Sequence, residues 1–331
     1  MSDFKVLLYT EMGEKLKMSG LGKAIRHQQQ ALKTNKISYT TNVNDDYDIV
    51  HINYYGIKSY RLAKRARKQG KKVVYHAHST REDFLNSFVF SNSLAGAFKW
   101  WICKCYRLGD VIVTPTKYSK KLLSGYGLKQ PIYAISNGVD TKFFKKDAEM
   151  GRKFRKKYGF SKEDKVVVGI GLYLKRKGIL DFIELARRMP EYQFIWFGDI
   201  DRRVIPREIR RAVKTKLPNL KFPGHVPATM IKSALSGADL YLFPTLEETE
   251  GIPILEAMAC EQRVLVRDIP VFAEFHDVYK AKNLAGFEKG IREIIGGERP
   301  DLTKMARETA LEYDIRTVGK ELIKVYEEVL K

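Results

Sequence analysis

The chain has little cysteine and no long apolar run, and these absences exclude several classes of protein. Its 331 residues contain three cysteines, at positions 103, 105 and 260, and so sparse and odd a count favours a reducing cytosol over a disulfide framework. Cys103 and Cys105 form a C-x-C pair without the second half of a structural zinc site. No stretch reaches the roughly 18 apolar residues of a membrane span. Met1–Thr10 has the pattern of a first strand, not of a secretion signal.

Negative charge is also scarce. Sixty Lys and Arg residues face 39 Asp and Glu residues, which gives a formal net charge of +21. Residues 1–165 carry 33 basic and 14 acidic side chains, whereas residues 166–331 carry 27 and 25. The positive field therefore belongs to the first half. It attracts polyanions, either nucleic acid or a membrane rich in anionic lipid, and charge alone does not choose between them.

Short β-rich runs alternate with helical stretches along the whole chain. The predicted strands are Val6–Tyr9, Ile49–Ile52, Val73–Ala77, Val111–Thr114 and Ile132–Ile135, then Val166–Ile170, Gln193–Phe197, Leu220–Phe222, Leu240–Phe243 and Arg263–Val266. Several are continuously apolar, as strands covered on both faces must be. The alternation predicts parallel βαβ units with right-handed crossovers, and hence a doubly wound α/β fold.

A charged stretch without a strand, residues 141–165, separates the two strand series. We therefore expect two doubly wound domains, residues 1–155 and 156–312, followed by an amphipathic helix at 313–331 whose apolar residues are spaced by three and four. Ligands of such sheets bind outside the carboxyl ends of the strands. With two such domains, a cleft between them is the expected site.

Two carboxylates eight residues apart, Glu248 and Glu256, flank a Gly-Ile-Pro turn after the strand Leu240–Phe243. A turn that leads into a helix presents backbone N–H groups that suit a diphosphate. Neighbouring carboxylates accept hydrogen bonds from sugar and ribose hydroxyls. The alternative is that both residues only complement the helix dipole.

Three further segments place polar or flexible residues after predicted strands. Lys175-Arg-Lys177 lies between glycines and suits a phosphate clamp, although a solvated basic turn has the same pattern. A Gly-x-Gly at Gly20 and Gly22 opens a helix behind Ser19, a plausible N-cap. His76 and His78 end the strand Val73–Ala77 without the further ligands of a metal site.

These segments together resemble family 4 of the glycosyltransferases, which are retaining enzymes with the two-domain GT-B fold. The match spans roughly residues 5–325 and is most specific at Glu248–Cys260, where Gly251, Pro253 and the Leu-Glu-Ala-Met-Ala run fit the family's Glu-x7-Glu motif. The resemblance implies that Glu248 contacts the donor sugar and Glu256 the ribose. Gly251, Ile252, Pro253 and Ile254 would line the diphosphate and sugar. Many members read Glu-Gly-Phe-Gly where this chain has Glu248-Thr-Glu-Gly.

The resemblance also assigns roles outside this motif. Lys177 matches a family lysine; Leu172 stands where members carry arginine, so Arg176 is expected to supply the guanidinium. Gly22 lies in a glycine loop that faces the cleft, and His78 occupies the position of a histidine near the donor sugar and acceptor. Uracil recognition is expected from backbone groups near Val226. No metal or other cofactor is expected, and Asp199-Ile-Asp201 is interpreted as a surface turn.

Lipid is the acceptor that the sequence favours. The basic run Tyr60–Lys72 and the aromatic stretch Phe84–Tyr106 suit a bilayer interface, although the aromatics are equally compatible with core packing. The residues expected to contact acceptor or membrane are Lys64, Arg65, Arg67, Lys68, Trp100 and Trp101. The order of Ser19–Gly22, His76–Phe84 and Lys175–Phe182 is similar to bacterial glucosyl-diacylglycerol glucosyltransferases.

The resemblance implies transfer of glucose from UDP-glucose to monoglucosyldiacylglycerol, giving an α-linked diglucosyl lipid. Residues 1–155 would then bind acceptor and membrane, residues 156–312 the nucleotide sugar, and the helix 313–331 would pack back on the first domain. The enzyme would lie peripherally on the cytoplasmic face of an anionic membrane. One alternative is a family 4 enzyme that builds a cell-surface polysaccharide on another lipid carrier. A basic nucleic-acid-binding protein and a catalytically dead scaffold are more distant alternatives; we expect no nucleic acid as partner.

Overall fold

The computed structural model describes residues 4–13 and 19–331. Two residues of the sequence predictions lie outside the described residues. They are Met1, at the start of the first expected strand region, and Met18, next to the glycine segment. The chain divides into two compact units. Unit 1 comprises Met1–Phe84, Ser93–Gly138 and Tyr313–Lys331, and unit 2 comprises Leu85–Asn92 and Val139–Glu312.

Unit 1 is built on a six-stranded sheet with the strand order β2-β1-β3-β4-β5-β6, in which every pairing is parallel. Its strands are β1 (Lys5–Tyr9), β2 (Ser38–Thr40), β3 (Ile49–Ile52), β4 (Lys72–His76), β5 (Val111–Thr114) and β6 (Ile132–Ala134). The helices are α1 (Gly20–Thr34), α2 (Ile57–Lys68), α3 (Arg81–Phe84), α4 (Ser91–Tyr106), α5 (Lys117–Ser124) and, at the end of the chain, α13 (Ile315–Leu330). All four residues of β3 and of β5 are buried, as helices on both faces require.

Unit 2 repeats this architecture with the parallel order β12-β11-β10-β7-β8-β9. Its strands are β7 (Val166–Ile170), β8 (Gln193–Phe197), β9 (Leu220–Gly224), β10 (Leu240–Phe243), β11 (Val264–Arg267) and β12 (Tyr279–Ala281). Its helices are α6 (Ala148–Tyr158), α7 (Ile179–Arg188), α8 (Arg207–Ala212), α9 (Ala228–Gly237), α10 (Ile252–Ala259), α11 (Leu284–Gly296) and α12 (Thr303–Glu312), with 3-10 turns at Lys175–Lys177 and Pro270–Phe272. The prediction of two doubly wound parallel sheets is confirmed.

The two edge strands β2 and β12 were not predicted. Each has three residues, and Ser38-Tyr-Thr40 has no apolar run that would distinguish a strand from a loop. Such strands form because a neighbouring strand offers its free edge, as β1 does to β2. No helix among residues 4–13 and 19–331 has the length and apolar character to cross a membrane.

The boundary between the units lies at Gly138, ahead of the expected position 155. The reason is α6, which packs closely on α9 in unit 2. A Cβ on Gly151 of α6 would lie 2.6 Å from the carbonyl oxygen of Ser236, and a Cβ on Gly237 would lie 2.5 Å from that of Gly151. Two glycines thus let the helix backbones touch. The charged stretch at 141–165 is therefore part of the second unit.

The last helix, α13, belongs to unit 1, where it packs on α1. A Cβ on Gly319 would lie 2.9 Å from Cβ of Ala31 in α1, so the two helices approach closely. The buried face of α13 includes Val318, Leu322 and Val325, which join the core formed by β1, β3 and β5.

Gly178, between the 3-10 turn and α7, is a site where we expect a large effect on stability. Its φ is +75°, and a Cβ there would lie 2.1 Å from the carbonyl oxygen of Pro244. Gly178→Ala is expected to lower the free energy of unfolding of unit 2 by about 3 kcal/mol, from the left-handed backbone and the overlap together. Urea denaturation followed by circular dichroism measures this loss.

Gly159→Ala is the matched control, because Gly159 has φ +69° and no atom lies within 4 Å of the point that a Cβ would occupy. It is expected to cost about 1 kcal/mol, from the backbone alone. Equal losses in the two variants would contradict the proposed overlap with Pro244.

Candidate functional site

The end of strand β7 positions the basic turn of unit 2. The chain leaves the sheet at Ile170, and the 3-10 turn Lys175–Lys177 follows. Gly178 in the left-handed conformation then directs the chain into α7. The turn lies beside the end of β10, because Leu246 N donates to the carbonyl oxygen of Arg176 over 2.7 Å. Two strand ends are thereby joined at the edge of the sheet where ligands bind.

Arg176 and Lys177 of the basic turn form an ion-pair cluster with the buried Glu248, although Lys177 and Glu248 are 71 residues apart in sequence. The Lys177 ammonium group contacts Glu248 Oε1 directly. Arg176 Nη1 lies 3.6 Å from the same oxygen and donates to the carbonyl oxygen of Glu247 over 2.8 Å. Glu248 is 6% exposed. The structure therefore brings together three of the residues that the sequence predicts for the donor site, and Arg176 is close to Glu248 although Leu172 replaces the family's arginine.

The cluster keeps Glu248 ionised. Burial on its own favours the neutral acid, but the charges of Lys177 and Arg176 and the hydrogen bonds from Lys177 and Thr245 outweigh it, so the pKa of Glu248 lies below its ordinary value. A carboxylate and two cations thus share one small space, and an arriving diphosphate would compete with Glu248 for both cations.

Thr245 completes the cluster, and the sequence reasoning missed it. Its hydroxyl oxygen lies 3.1 Å from Glu248 Oε1 and 3.1 Å from the carbonyl oxygen of Arg176. The residue is fully buried, so its hydroxyl orients the carboxylate instead of meeting solvent. Its place two residues after strand β10 is the signal that could have identified it.

The second carboxylate, Glu256, lies in α10 and is fully buried. The helix begins at Ile252 behind Gly251, whose φ of +93° only glycine adopts without strain. Pro253 occupies the first turn, where the missing N–H costs no helical hydrogen bond. Ile254 N donates to the carbonyl oxygen of Gly251 over 2.8 Å, which tightens this turn. The positive end of the α10 dipole therefore lies just after Glu248 along the chain.

Val226 and the Asp-x-Asp segment follow two other strands of unit 2, β9 and β8. Val226 is half-buried in the loop between β9 and α9. Asp201 accepts from Arg203 Nη2 over 2.6 Å, and Asp199 lies 3.8 Å from Arg202 Nε. Both aspartates are thus engaged by neighbouring arginines. Among the described residues, no group of three or more His, Cys, Asp or Glu side chains has the geometry to hold a metal ion.

In unit 1, His78 belongs to a buried polar network at the end of β4. Its ring stacks on His76 with the centroids 3.8 Å apart, and its Nε2 lies 2.9 Å from Asn53 Oδ1. Gln28 Nε2 donates to that oxygen over 2.8 Å and lies 3.0 Å from His76 Nδ1. His51 Nε2 lies 3.0 Å from the same His76 nitrogen.

The network fixes the protons on its rings. Since Asn53 Oδ1 is an acceptor, His78 carries its proton on Nε2 and leaves Nδ1 as a lone pair. Burial, together with the neighbouring imidazole of His51, lowers the pKa of His78 to about 3. Burial likewise lowers the pKa of His51 to about 3. The histidines of this network are therefore neutral near pH 7.

The glycine segment of unit 1 is organised by Ser19. Its hydroxyl accepts from Gly22 N over 3.2 Å and caps α1. The N–H of Gly22 is therefore already used by the helix cap. Further along α1, His27 Nδ1 donates to the carbonyl oxygens of Asn137 and Gly138, which ties the helix to the end of the β6 segment.

The predicted basic and aromatic residues meet on unit 1. Helix α2 buries Leu62, Ala63 and Ala66 and exposes the cations Lys64, Arg65, Arg67 and Lys68. On α4, Trp100 is 61% exposed, and Lys104 Nζ lies 5.0 Å from the centroid of its ring.

Trp101 has a packing role. Its Nε1 donates to the carbonyl oxygen of Tyr55 over 2.6 Å, and its ring packs on Tyr60 of α2. Trp100 is thus the tryptophan of this pair that faces solvent.

Comparison with known proteins decides the family. The model of glycosyltransferase family 4 matches residues 24–143, and the model of glycosyl transferases group 1 matches residues 151–309. The chain is 40% identical, over 99% of both chains, to a processive diacylglycerol alpha-glucosyltransferase of Acholeplasma laidlawii. The chain is a family 4 glycosyltransferase. The resemblance stated from the sequence is confirmed.

Two more comparisons bear on this glycosyltransferase. It is 26% identical to an alpha-galactosylglucosyldiacylglycerol synthase of Streptococcus pneumoniae, over 78% of this chain and 71% of the relative. The crystal structure of Anabaena HepE in complex with UDP-glucose matches with a TM-score of 0.79 at 17% identity, covering 98% of this chain and 100% of that one. The glycosyltransferase therefore has the GT-B fold, as expected.

Proposed function

We propose that this glycosyltransferase moves glucose from UDP-glucose to a diacylglycerol-based lipid, with retention of the α configuration, on the surface of a membrane. The observation that carries the proposal is the 40% identity over the whole length to the diacylglycerol alpha-glucosyltransferase of A. laidlawii. Monoglucosyldiacylglycerol is the acceptor we favour. Diacylglycerol itself is a second acceptor to test, because that relative's name describes a processive enzyme.

The cluster of Arg176, Lys177 and Glu248 supports a sugar diphosphate as donor. Two cations beside a buried carboxylate are suited to bind the two phosphates of UDP, and the positive end of the α10 dipole adds to their attraction. Glu248 is suited to accept hydrogen bonds from glucose hydroxyls, since its pKa is held low and it stays ionised. As the family resemblance implies, we propose that the diphosphate and sugar are lined by Gly251, Ile252, Pro253 and Ile254. We also propose that Glu256 contacts the ribose and that backbone groups near Val226 contact the uracil.

The reaction exchanges one C–O bond for another. The bond from C1 of glucose to the β-phosphate oxygen breaks, and the negative charge that develops on the departing UDP is stabilised by Lys177, Arg176 and the helix dipole. The acceptor hydroxyl oxygen forms the new bond to C1 on the same face. Its proton passes to the departing phosphate oxygen, so the products are UDP and the α-glucoside. No covalent enzyme intermediate is needed.

His78 is the proposed polar contact of unit 1 with the reacting groups. Its neutral ring carries a lone pair on Nδ1, because Asn53 holds the proton on Nε2. A neutral imidazole suits the orientation of a hydroxyl better than a cation would, since it accepts a hydrogen bond. Gly22 is proposed to act through the backbone of the segment that Ser19 caps.

A peripheral position on the cytoplasmic face of an anionic membrane is part of the proposal. The exposed cations of α2 and the exposed Trp100 lie on one part of unit 1 and suit headgroups and the interface. Each cation near such a surface contributes roughly 1 kcal/mol. Nucleic acid is not a proposed partner.

The test is transfer from labelled UDP-glucose to monoglucosyldiacylglycerol or diacylglycerol in vesicles, with phosphatidylcholine alone or with phosphatidylglycerol added. We expect a labelled, α-glucosidase-sensitive lipid, formed faster with phosphatidylglycerol. Lys64→Gln with Lys68→Gln is expected to lower the rate on anionic vesicles at limiting lipid about tenfold or more, from two lost cations.

The control is Lys289→Gln with Lys304→Gln, which removes two exposed cations from unit 2. It is expected to leave the rate near that of the wild type. UDP-glucose hydrolysis without any lipid product would overturn the lipid acceptor, and absence of both reactions would overturn the donor as well.

A further inference from the structure

The loop Leu85–Asn92, whose last two residues begin α4, is bound to the proposed donor side of unit 2. Arg176 N donates to the carbonyl oxygen of Asn86 over 3.1 Å, and Val89 N donates to that of Val204 over 3.1 Å. The loop is closed by its own ends, since Asn86 N donates to Asn92 Oδ1 over 2.8 Å and Asn92 Nδ2 donates to Asn86 Oδ1 over 3.1 Å. These bonds define the conformation of the loop on unit 2.

The base of the loop holds the side chain of Arg176. Ser87 is 1% exposed, and its hydroxyl oxygen accepts from Arg176 Nε over 3.0 Å. On its other side the guanidinium donates to the carbonyl oxygen of Glu247 and lies 3.6 Å from Glu248 Oε1. A planar guanidinium held at Nε and at Nη1 has little freedom to rotate. Ser87 thus fixes the direction in which Arg176 faces Glu248.

The tip of the same loop is apolar and exposed. Phe88, Val89 and Phe90 are 36%, 40% and 73% exposed. Phe90 has φ +63°, a left-handed conformation that is costly for a bulky residue. Val204, which accepts from Val89, is itself 41% exposed. The loop therefore holds an aromatic ring in water at a cost in backbone strain, which suggests a partner for the ring.

The segment next to the tip is rich in exposed cations. Exposed basic residues lie on both sides of Val204 in the sequence: Arg202, Arg203, Arg207, Arg211, Lys214 and Lys216. An apolar tip flanked by cations matches an anionic bilayer, where the rings enter the headgroup region and the cations meet phosphates. A nucleic acid would use the cations but would leave Val89 and Val204 in water. A second copy of this +21 chain would be repelled.

We propose that the loop Leu85–Asn92 contacts an anionic bilayer through Phe88, Val89 and Phe90 and, through Ser87, positions Arg176 in the donor site. The inference rests on the proposed function and adds a coupling between lipid contact and donor binding. Lipid contact with the tip stabilises the strained conformation of the loop, and in that conformation Ser87 holds Arg176 in one orientation towards the diphosphate. By linkage, UDP must strengthen vesicle binding by the same factor by which vesicles strengthen UDP binding.

The experiment measures the Kd of UDP by calorimetry with and without phosphatidylglycerol vesicles that contain no acceptor, and vesicle binding by sedimentation with and without UDP. For the wild type we expect UDP to bind at least fivefold more tightly on vesicles. Phe90→Ser is expected to weaken vesicle binding about tenfold. Ser87→Ala is expected to bind vesicles as the wild type does, with a weaker affinity for UDP that vesicles no longer change.

Two controls separate these effects from general damage to unit 2. Met305→Ser removes another exposed apolar side chain of unit 2, 54% exposed on α12, and Ser91→Ala removes a second buried hydroxyl of the loop. Both are expected to keep the wild-type coupling factor. Thermal unfolding establishes that each variant is folded.

The inference is overturned if Phe90→Ser binds vesicles as tightly as Met305→Ser, or if vesicles leave the wild-type Kd of UDP unchanged. It is also overturned if Ser87→Ala retains the coupling. Coupling in the wild type without glucose transfer to any diacylglycerol lipid would instead refute the proposed acceptor and leave the loop's role intact. Glucose transfer to a diacylglycerol lipid without coupling would refute the loop's role and leave the proposed acceptor intact.

Discussion

Glu248→Gln is expected to bind UDP about tenfold more tightly than the wild type and to transfer glucose about 10²- to 10³-fold more slowly. Glu248 contacts Lys177 and Arg176, for which the diphosphate would compete in the proposed donor site, and the neutral amide removes that competition. Partial positive charge develops on glucose in the transition state. A neutral amide stabilises this charge less than the carboxylate of Glu248 does, so transfer becomes slower. Calorimetry with UDP and initial rates with UDP-glucose measure the two effects separately.

Opposite signs for binding and catalysis are what make this result informative. A variant that is merely misfolded loses both, and a residue without a donor role changes neither. Glu247→Gln is the matched control, because it removes a neighbouring negative charge and keeps the backbone carbonyl that Arg176 contacts. It is expected to change each quantity by no more than about threefold. Weaker UDP binding in Glu248→Gln would contradict the competition.

Unit 1 is expected to lose stability steeply between pH 6.5 and 5, before unit 2 does. Burial, with the charge of Lys23, lowers the pKa of His27 to about 4. Burial lowers the pKa of His51 to about 3, and burial with the neighbouring imidazoles lowers the pKa of His76 far below its ordinary value. The unfolded chain takes up protons on these rings below about pH 6.5, whereas the same rings stay neutral in the folded unit.

The direction in which pH changes the free energy of unfolding follows from this difference in the number of bound protons. Stability contributed by the neutral rings is present above about pH 6.5 and is lost as the pH falls toward the folded-state pKa values. Each ring contributes about 1.4 kcal/mol per pH unit in that range, so the four rings, with His78 as the fourth, lower the free energy of unfolding by on the order of 5 kcal/mol per unit. Urea denaturation at pH 7.5, 6.5, 5.5 and 5, with hydrogen exchange to separate the units, measures it.

His51→Gln is expected to reduce this pH dependence by about a quarter, since one of the four rings with lowered pKa values is gone. His276→Gln is the control, because His276 is exposed in unit 2 and is hydrated in folded and unfolded chains alike. An equal loss of stability in both units over this pH range would contradict the assignment to the buried histidines.

The edge of unit 2 at which we propose the donor site could be predicted as a structural feature from sequence, because its parts are local. Gly178, Gly251 and the carboxylates follow strands at short distances, so strand assignment places them at one sheet edge. Arg176 was expected to replace the missing arginine at Leu172, and it lies beside Glu248. The contact of Ser87 with Arg176 joins residues 89 positions apart. No local pattern marks such a pair, so it needed the structure.

The histidine network could not be predicted for the same reason. His76 and His78 were recognised as a strand-end pair, but their partners Gln28 and Asn53 come from α1 and from the residue after β3. Within a helix or after a strand, a lone amide has no signature. Only the packing of α1 and β4 converts these side chains into one array.

The packing of α13 on α1 has a consequence for synthesis on the ribosome. Most of unit 1 precedes unit 2 in the sequence, but its core is completed by Tyr313–Lys331, and Tyr326 contacts His51 across 275 residues of sequence. Unit 2 can therefore finish folding while unit 1 still lacks its last helix and waits with apolar surface uncovered. The interval ends only when Tyr313–Lys331 have left the exit tunnel. A nascent chain stalled a few residues short should expose unit 1, and not unit 2, to chaperones and proteases.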